Sequence, residues 1–251
     1  MDADPPSRYG PGMRQIIAMG GGGFSMEPDN PLLDDFVLSR ARRRRPRLCF
    51  VPTASGDSMG YLVRFYRTFA DRDCISTDLT LFDGAAMPRR PAHTKDLLDF
   101  VGEQDVIYVG GGNTANALAL WRTHGLDRAF RAAWENGTIL CGLSAGMICW
   151  FRSSVTDSFG ALAQLNDGLG LLPFSACPHY DSEAARRPTY HQLIAAGLSA
   201  GYAADDGAAL RFDGESLAEV VTSRPNAAAY HVALTAGRVS ETRLPARYLG
   251  A

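Results

Sequence analysis

The chain has 251 residues, of which 46% are hydrophobic, and a formal net charge of −2. That length can bury one large α/β core, and the near-neutral charge gives no electrostatic basis for binding nucleic acid or an acidic membrane surface. No apolar run approaches the length of a membrane span. The odd count of five cysteines, without metal-ligand spacing, predicts buried free thiols in a reducing compartment and no metal site. We therefore expect a cytoplasmic protein with neither nucleic-acid nor membrane partners.

Residues 1–12 are rich in proline and glycine and predict a disordered tail, which leaves 13–251 as a single α/β domain. The first strand is predicted at 15–19. The glycine run Gly20-Gly-Gly-Gly-Phe24 follows it, but it does not complete G-x-G-x-x-G, so we expect a flexible loop at a sheet rim rather than a dinucleotide site.

Apolar strands then alternate with amphipathic helices. Further strands are predicted at 48–52, 75–82, 106–109 and 138–141, and helices at 30–40, 61–69, 95–102, 115–123 and 126–134. This alternation predicts a three-layer α/β/α sandwich around a mostly parallel, doubly wound, flavodoxin-like sheet. Residues 152–166 are expected to be irregular, followed by a helix at 188–198 and strands at 208–212, 217–222 and 229–234.

The strongest chemical signal is the strand, turn and helix pattern at 138–151. Between the predicted strand and a predicted apolar helix at 147–151, Gly142-Leu-Ser-Ala-Gly146 matches G-x-S-x-G. That pattern is typical of a nucleophile elbow, a tight turn that lifts a serine out of the sheet and brings backbone close to backbone. Ser144 is therefore a candidate nucleophile; the alternative is a serine that only caps the helix.

A serine nucleophile needs a nearby base and a third group to orient that base. His179 follows an apolar segment at a predicted sheet rim, with Asp181 and Glu183 close behind it, which makes it the best-placed candidate. The remaining histidines fall in a polar loop, at a helix end, within a helix and in an alternating strand, in the order His93, His124, His191 and His231.

Three motifs occur in one order along the chain: Val109-Gly-Gly-Gly-Asn-Thr114, Gly142-Leu-Ser-Ala-Gly146, and Leu169-Gly-Leu-Leu-Pro173 with Pro178-His-Tyr180. Together they resemble peptidase E, the family of cytosolic aspartyl dipeptidases, over residues 14 to about 235. Its broader relatives are the cyanophycinases and the class I glutamine amidotransferase-like fold. The resemblance implies an α/β/α sandwich and a serine peptidase with Ser144 as nucleophile, His179 as base and no cofactor.

The resemblance also implies a third triad member and an oxyanion hole. In this family an acidic residue commonly follows the serine by a dozen or so positions, and Asp157 stands there. Asp181 is the alternative, because the glutamine amidotransferase branch places its carboxylate two residues after the histidine. The oxyanion hole would consist of the Ala145 N–H and an N–H from Gly111 or Gly112, since glycine lets the backbone approach an oxyanion closely.

The implied substrate is a short peptide with a free amino terminus and an acidic first residue, chiefly an aspartyl dipeptide. A guanidinium pairs with a carboxylate through a planar fork. Arg186 and Arg187 follow the candidate base, and we expect Arg186 to reach the substrate; the alternative is that both are surface arginines leading into a helix. Asn113 and Thr114 are expected to contact the substrate, with Asn113, or a carboxylate near Asp181, accepting from its amino group.

Other functions stay open at this point. An α/β-hydrolase esterase would also use G-x-S-x-G, with His231 as its late histidine, but the upstream glycine run lacks the histidine of its usual oxyanion loop. A cyanophycinase-like hydrolase and a non-catalytic small-molecule-binding module with an inert Ser144 are further alternatives. A cysteine-dependent glutamine amidotransferase is disfavoured because Ser144 stands at the nucleophile position. A homodimer is left open.

Overall fold

The computed structural model describes residues 13–82 and 94–251, so the predicted tail and His93 lie outside the described residues. The strands are β1 (Gln15–Met19), β2 (Arg47–Val51), β3 (Ile75–Asp78), β4 (Val106–Val109), β5 (Ile139–Leu143), β6 (Phe151–Thr156), β7 (Ala163–Leu165), β8 (Leu172–Cys177), β9 (Gly201–Ala204), β10 (Ala208–Asp213), β11 (Ser216–Thr222), β12 (Ala229–Thr235), β13 (Arg238–Arg243) and β14 (Arg247–Tyr248). The helices are α1 (Gly23–Met26), α2 (Leu32–Ser39), α3 (Met59–Phe69), α4 (Thr94–Gly102), α5 (Thr114–His124), α6 (Leu126–Glu135), α7 (Ala145–Ile148) and α8 (Arg186–Ala195).

Within the described residues, the larger sheet has the strand order β14-β11-β10-β1-β5-β4-β2-β3. The neighbouring strands β1, β5, β4, β2 and β3 pair with one another in parallel, whereas β10 pairs with β1 antiparallel. Every residue of β1, β4 and β5 is buried, as expected for apolar strands covered on both faces. One face packs on α2 and α3, and the other packs on α5 and α6, which confirms the predicted α/β sandwich with a mostly parallel, doubly wound sheet.

A second sheet has the order β13-β12-β9-β8-β6-β7, and its strands β6 and β7 cover parts of 152–166, where irregular structure was expected. That expectation was wrong because β6 is buried everywhere except at Arg152, so its polar residues Ser153, Ser154 and Thr156 lie inside a strand rather than in an exposed loop. The sheet packs against the larger one through Phe212, whose ring meets those of Phe151 and Tyr202 at centroid distances of 5.8 and 5.3 Å. Its other face is covered by α8.

The prediction of buried free thiols is confirmed: all five cysteines are free and buried, and burial raises the pKa of Cys141 and Cys149 beside the elbow well above the usual thiol value. Among the described residues, no helix is both long and apolar enough to cross a membrane.

The core beneath α2 contains a carboxyl group away from the elbow. Asp34 is 1% exposed, and Tyr108 donates a hydrogen bond of 3.1 Å to its Oδ1. Burial raises the pKa of Asp34 to about 7, although Arg72, whose Nη1 lies 4.0 Å away, opposes the shift. The fold therefore favours the protonated acid, whereas the unfolded chain ionises near pH 4.

Because the folded-state pKa is raised, the contribution of Asp34 to stability is fully present below about pH 4 and is lost as the pH rises to about 7. We expect Asp34→Asn to raise the free energy of unfolding at pH 8, by on the order of 4 kcal/mol at most, and to change it little at pH 4.5. Urea unfolding at both pH values measures this. Asp35→Asn is the matched control, since its exposed carboxylate pairs with the same Arg72 at 3.1 Å. An equal effect of Asp34→Asn at both pH values would contradict the prediction.

Candidate active site

Ser144 stands between β5 and α7 with φ 56° and ψ −115°, a strained conformation for a residue with a side chain. The flanking glycines are required by their surroundings: a Cβ at Gly142 would lie 2.6 Å from the Val109 carbonyl oxygen, and one at Gly146 would clash with the same oxygen. The strand, turn and helix context predicted for the elbow is thus present. The helix, however, is Ala145–Ile148 rather than 147–151, because Phe151 already begins β6.

His179 and Asp206 form a hydrogen-bonded pair close to the ends of two neighbouring strands. β8 and β9 pair in parallel, so the residues that follow their carboxyl ends lie side by side. His179 Nδ1 lies 2.7 Å from Asp206 Oδ1, and both residues are buried, at 8% and 3% exposure. The pairing directs the other ring nitrogen, Nε2, away from the carboxylate and leaves it available to a reacting group.

The two adjacent aspartates after β9 differ in their ionisation. Burial alone would raise the pKa of Asp206, but the hydrogen bond and charge of His179, the Ser182 hydroxyl and Arg224 together lower it. For Asp205, burial and the neighbouring charge of Asp181 raise the pKa to about 6. Asp206 is therefore the carboxylate held as an anion against the imidazole.

Neither carboxylate expected beside His179 contacts it. Asp157 lies in the loop after β6, and its Oδ2 is 3.7 Å from Arg186 Nη2. Asp181 Oδ1 instead accepts a hydrogen bond of 2.8 Å from the backbone N–H of Asp206. The contact expected between Asp157 and His179 is replaced by one with Asp206, because the second sheet brings the end of β9 to the histidine. The signal was a short apolar stretch, 201–204, running directly into two aspartates.

The glycine run after β1 packs against His179 and Asp206, whereas a flexible loop was expected there. Gly20 accepts a hydrogen bond of 3.3 Å from the His179 N–H, and Gly21 forms a parallel bridge with Asp206. A Cβ at Gly21 would clash with Asp206 Oδ1 and would lie 3.0 Å from His179 Nδ1. Glycine is therefore needed there so that the backbone can pass close to the imidazole and carboxylate.

The second glycine loop, between β4 and α5, borders the serine. A Cβ at Gly111 would lie 3.7 Å from Ser144 Oγ, and Gly112 has φ 135°, where a Cβ would clash with the Ala54 carbonyl oxygen. The Gly111 N–H donates to the Tyr61 hydroxyl at 3.2 Å. Within the described residues, the N–H groups of Gly112 and Ala145 have no protein acceptor, as expected for Ala145 at the first position of a helix.

Asn113 and Thr114 have structural surroundings. The Asn113 side chain caps α5 by accepting from the Asn116 N–H at 2.9 Å, and its amide donates to the Ser158 carbonyl at 2.9 Å. Both ends of this side chain are therefore engaged, although Asn113 borders the cavity beside Ser144. Thr114 is 1% exposed and is not among the residues that line that cavity.

Arg186 opens onto the same cavity as the serine and the histidine. It is 3% exposed, so it is not the surface arginine considered as an alternative. Its Nε donates to Glu183 at 2.7 Å and its Nη1 to the Val155 carbonyl at 3.2 Å. The cavity has a volume of about 350 Å³ and is lined by Gly112, Asn113, Ser144, Asp157, Ser158, His179, Glu183 and Arg186.

The remaining described histidines lie outside this cavity. His231 is on β12, where its ring packs edge-on against Tyr202 at a centroid distance of 5.3 Å, and His191 on α8 pairs with Glu241 at 2.8 Å. The esterase alternative needs His231 beside Ser144, and the cavity beside Ser144 is lined by His179 instead.

A serine on an elbow, a histidine hydrogen-bonded to a buried carboxylate and a small cavity between two sheets form a site of the kind used by serine hydrolases. The model of peptidase family S51 matches residues 16–220, and the chain belongs to that family. It is 54% identical over 239 residues to the uncharacterized peptidase YgaJ of Bacillus subtilis (strain 168), covering 95% of this chain and 100% of that protein.

A second relative is peptidase E of Streptomyces coelicolor (strain ATCC BAA-471 / A3(2) / M145), which is 34% identical over 138 residues. That match covers 53% of this chain and 51% of the relative. The fold is shared with a crystal structure of a peptidase from an acI-B1 actinobacterium, at a TM-score of 0.67 and 18% identity, covering 95% of this chain and 96% of that one. The resemblance to peptidase E is thereby confirmed, and the chain is a peptidase.

Proposed function

We propose that this peptidase is a serine exopeptidase that hydrolyses short peptides, chiefly dipeptides with an N-terminal aspartate. The observation that carries the proposal is the buried guanidinium of Arg186 in the cavity that also holds Ser144 and His179. A cavity of about 350 Å³ is of the size that encloses a small ligand, which favours dipeptides over long chains.

In the proposed reaction, Ser144 Oγ attacks the peptide carbonyl while His179 Nε2 takes the hydroxyl proton. The C–N bond then breaks, the proton passes to the leaving amine, and an acyl-enzyme remains on Ser144. Water, deprotonated by the same imidazole, hydrolyses that ester and regenerates the serine. Asp206 holds the Nδ1–H tautomer and stabilises the imidazolium that forms in each half-reaction.

The negative charge on the carbonyl oxygen would be stabilised by backbone N–H groups. The Ala145 and Gly112 N–H groups are the best candidates because each is free of a protein acceptor within the described chain. Gly111 was an equal candidate from the sequence. Its N–H would first have to leave the Tyr61 hydroxyl, so we propose that Gly111 mainly leaves space beside Ser144 Oγ.

The charges around Arg186 fit an N-terminal aspartyl residue, which carries both an ammonium and a carboxylate. Nη2 of Arg186 has the Asp157 carboxylate at 3.7 Å, beyond hydrogen-bond distance, so this nitrogen retains donors for a substrate carboxylate. The Asp157 side chain is 59% exposed and lines the cavity. We assign Asp157 to the free ammonium of the substrate, in place of Asn113, whose side chain is already engaged.

A dipeptide panel tests the proposed specificity. We expect Asp-Leu to be cleaved about 10- to 100-fold faster than Ala-Leu, because a charge-assisted hydrogen bond is worth about 1.5–3 kcal/mol. N-acetyl-Asp-Leu should be cleaved poorly because it lacks the ammonium. Arg186→Ala should reduce the Asp-Leu to Ala-Leu ratio to near one, and Arg186→Lys should restore it only in part, since lysine lacks the planar fork.

Melting temperatures and the rate at which a fluorophosphonate labels Ser144 serve as controls for folding of the Arg186 variants. Equal rates on Asp-Leu and Ala-Leu by the unmodified protein would remove the aspartyl specificity. Efficient cleavage of the acetylated peptide would remove the exopeptidase assignment and leave the serine mechanism standing.

A further inference from the structure

The last hairpin of the chain places one carboxylate against the segment that carries the candidate base. Glu241 lies on β13, beyond the residues matched by the family model, and its side chain is 21% exposed. Its Oε2 accepts hydrogen bonds from the Tyr180 hydroxyl at 2.6 Å and from His191 Nε2 at 2.8 Å. Its Oε1 lies 3.5 Å from Arg187 Nη2.

Tyr180 directly follows His179, so a restraint on the tyrosine is a restraint on the histidine backbone. His179 has φ 52°, a conformation that persists in a non-glycine residue only where the surroundings impose it. Its backbone N–H makes a long hydrogen bond of 3.3 Å to Gly20, and the Tyr180 N–H bonds to the Ala204 carbonyl at 3.1 Å. The bond from the Tyr180 hydroxyl to Glu241 is the shortest of these three.

The tyrosine ring is fixed on its face as well as at its hydroxyl. The Arg187 guanidinium lies over it at 4.6 Å and over the neighbouring Tyr230 ring at 4.8 Å. Burial alone would raise the pKa of Glu241, but hydrogen bonds from Tyr180 and His191 and the charge of Arg187 lower it, so the carboxylate is an anion at neutral pH. An ionised acceptor makes a stronger hydrogen bond to the tyrosine than a neutral one.

We propose that Glu241 is a positioning residue that, acting through Tyr180, holds His179 in the orientation that pairs with Asp206 and faces Ser144. This inference rests on the proposed role of His179 as the base. Glu241 is not among the residues that line the cavity beside Ser144. It acts by limiting the movement of a strained residue whose displacement by about 1 Å can lower turnover about 100-fold.

The test compares Tyr180→Phe, Glu241→Ala and the double variant in the full chain. We expect each to lower kcat about 10-fold or more on Asp-Leu and on Ala-Leu alike, with KM changed less than about threefold, because the base is affected and the Arg186 contact is not. The double variant should be no slower than Glu241→Ala, since both changes break one connection. Fluorophosphonate labelling of Ser144 should slow in parallel.

Glu219→Ala is the matched control. Glu219 also lies on a strand, is 26% exposed and pairs with two arginines, Arg211 at 2.8 Å and Arg247 at 2.9 Å, but it has no connection to His179. We expect Glu219→Ala to lower the melting temperature without the loss of kcat.

The His179→Ala variant separates a failure of the positioning role from a failure of the proposed mechanism. If His179→Ala abolishes turnover while Tyr180→Phe and Glu241→Ala retain full kcat, the positioning role of Glu241 is wrong. If His179→Ala is as active as the unmodified protein, the proposed role of His179 as the base is itself wrong.

Discussion

Replacing Ser144 with alanine is expected to lower peptide hydrolysis by on the order of 10⁴-fold or more while the protein still folds. The reason is that the hydroxyl is the only group in the proposed reaction that forms the acyl bond, and removing a triad nucleophile leaves only the binding and oxyanion contributions. Alanine also tolerates the φ of 56° no worse than serine, so the elbow should persist. Steady-state rates on Asp-Leu and intact-mass detection of a fluorophosphonate adduct measure the loss.

Ser153→Ala provides the matched control for Ser144→Ala. Ser153 is a buried serine in the second sheet, within 3.4 Å of the Ser199 hydroxyl, and it does not line the cavity. The Ser153→Ala variant should keep its peptide hydrolysis and should still form the fluorophosphonate adduct on Ser144. Hydrolysis retained by purified Ser144→Ala would exclude the covalent serine mechanism, whichever peptide is the substrate.

The second large effect is expected for Asp206→Asn, with kcat lowered by about 10³- to 10⁴-fold. An amide in place of the carboxylate can hold His179 in the wrong tautomer and cannot stabilise the imidazolium. Asp157→Asn should instead raise KM for peptides with a free amino terminus and lower kcat less than tenfold, because that carboxylate faces Arg186 and the cavity. Kinetics on one dipeptide for both variants separate the two roles.

The dependence of stability on acid pH tests the ionisation of Asp206 independently of the kinetics. Its folded-state pKa is lowered, so its contribution to stability is present above about pH 4 and is lost as the pH falls through the folded value. The free energy of unfolding of Asp206→Asn should therefore fall less steeply with decreasing pH than that of the unmodified protein. If Asp157→Asn stops turnover and Asp206→Asn does not, the hydrogen-bonded pair of His179 and Asp206 is not the catalytic one.

The elbow was predictable from the sequence, whereas the carboxylate partner of His179 was not. The elbow is local: Gly142, Ser144 and Gly146 are neighbours along the chain, and the buried apolar strand before them identifies the turn. The alternation of apolar strands and helices up to residue 143 likewise predicts the doubly wound sheet, since each unit repeats one local pattern.

The partner of His179 could not be found in the same way. Asp157, Asp181 and Asp206 all follow or neighbour apolar segments, so the apolar stretch before Asp206 does not by itself single that residue out. Only the parallel pairing of β8 with β9 brings residues 179 and 206 side by side, while the turn after β6 carries Asp157 to Arg186. His179 and Asp206 also lie against Gly20 and Gly21 of the first glycine run.

By itself, then, the sequence determined the elbow that carries Ser144 and the parallel sheet, and it led to the hypothesis of Ser144 as nucleophile and His179 as base, because each depends on residues a few positions apart whose burial and backbone requirements are readable from their types. The tertiary structure alone decided which carboxylate meets the imidazole, whether the expected Arg186 is buried at the cavity or exposed, and which glutamate accepts a hydrogen bond from Tyr180. The contacts of 179 with 206 and of 180 with 241 join residues 27 and 61 positions apart, and Arg186 lines the cavity of Ser144 from 42 positions further along the chain. Their geometry depends on strand register and on the packing of one sheet against another, for which no local pattern exists.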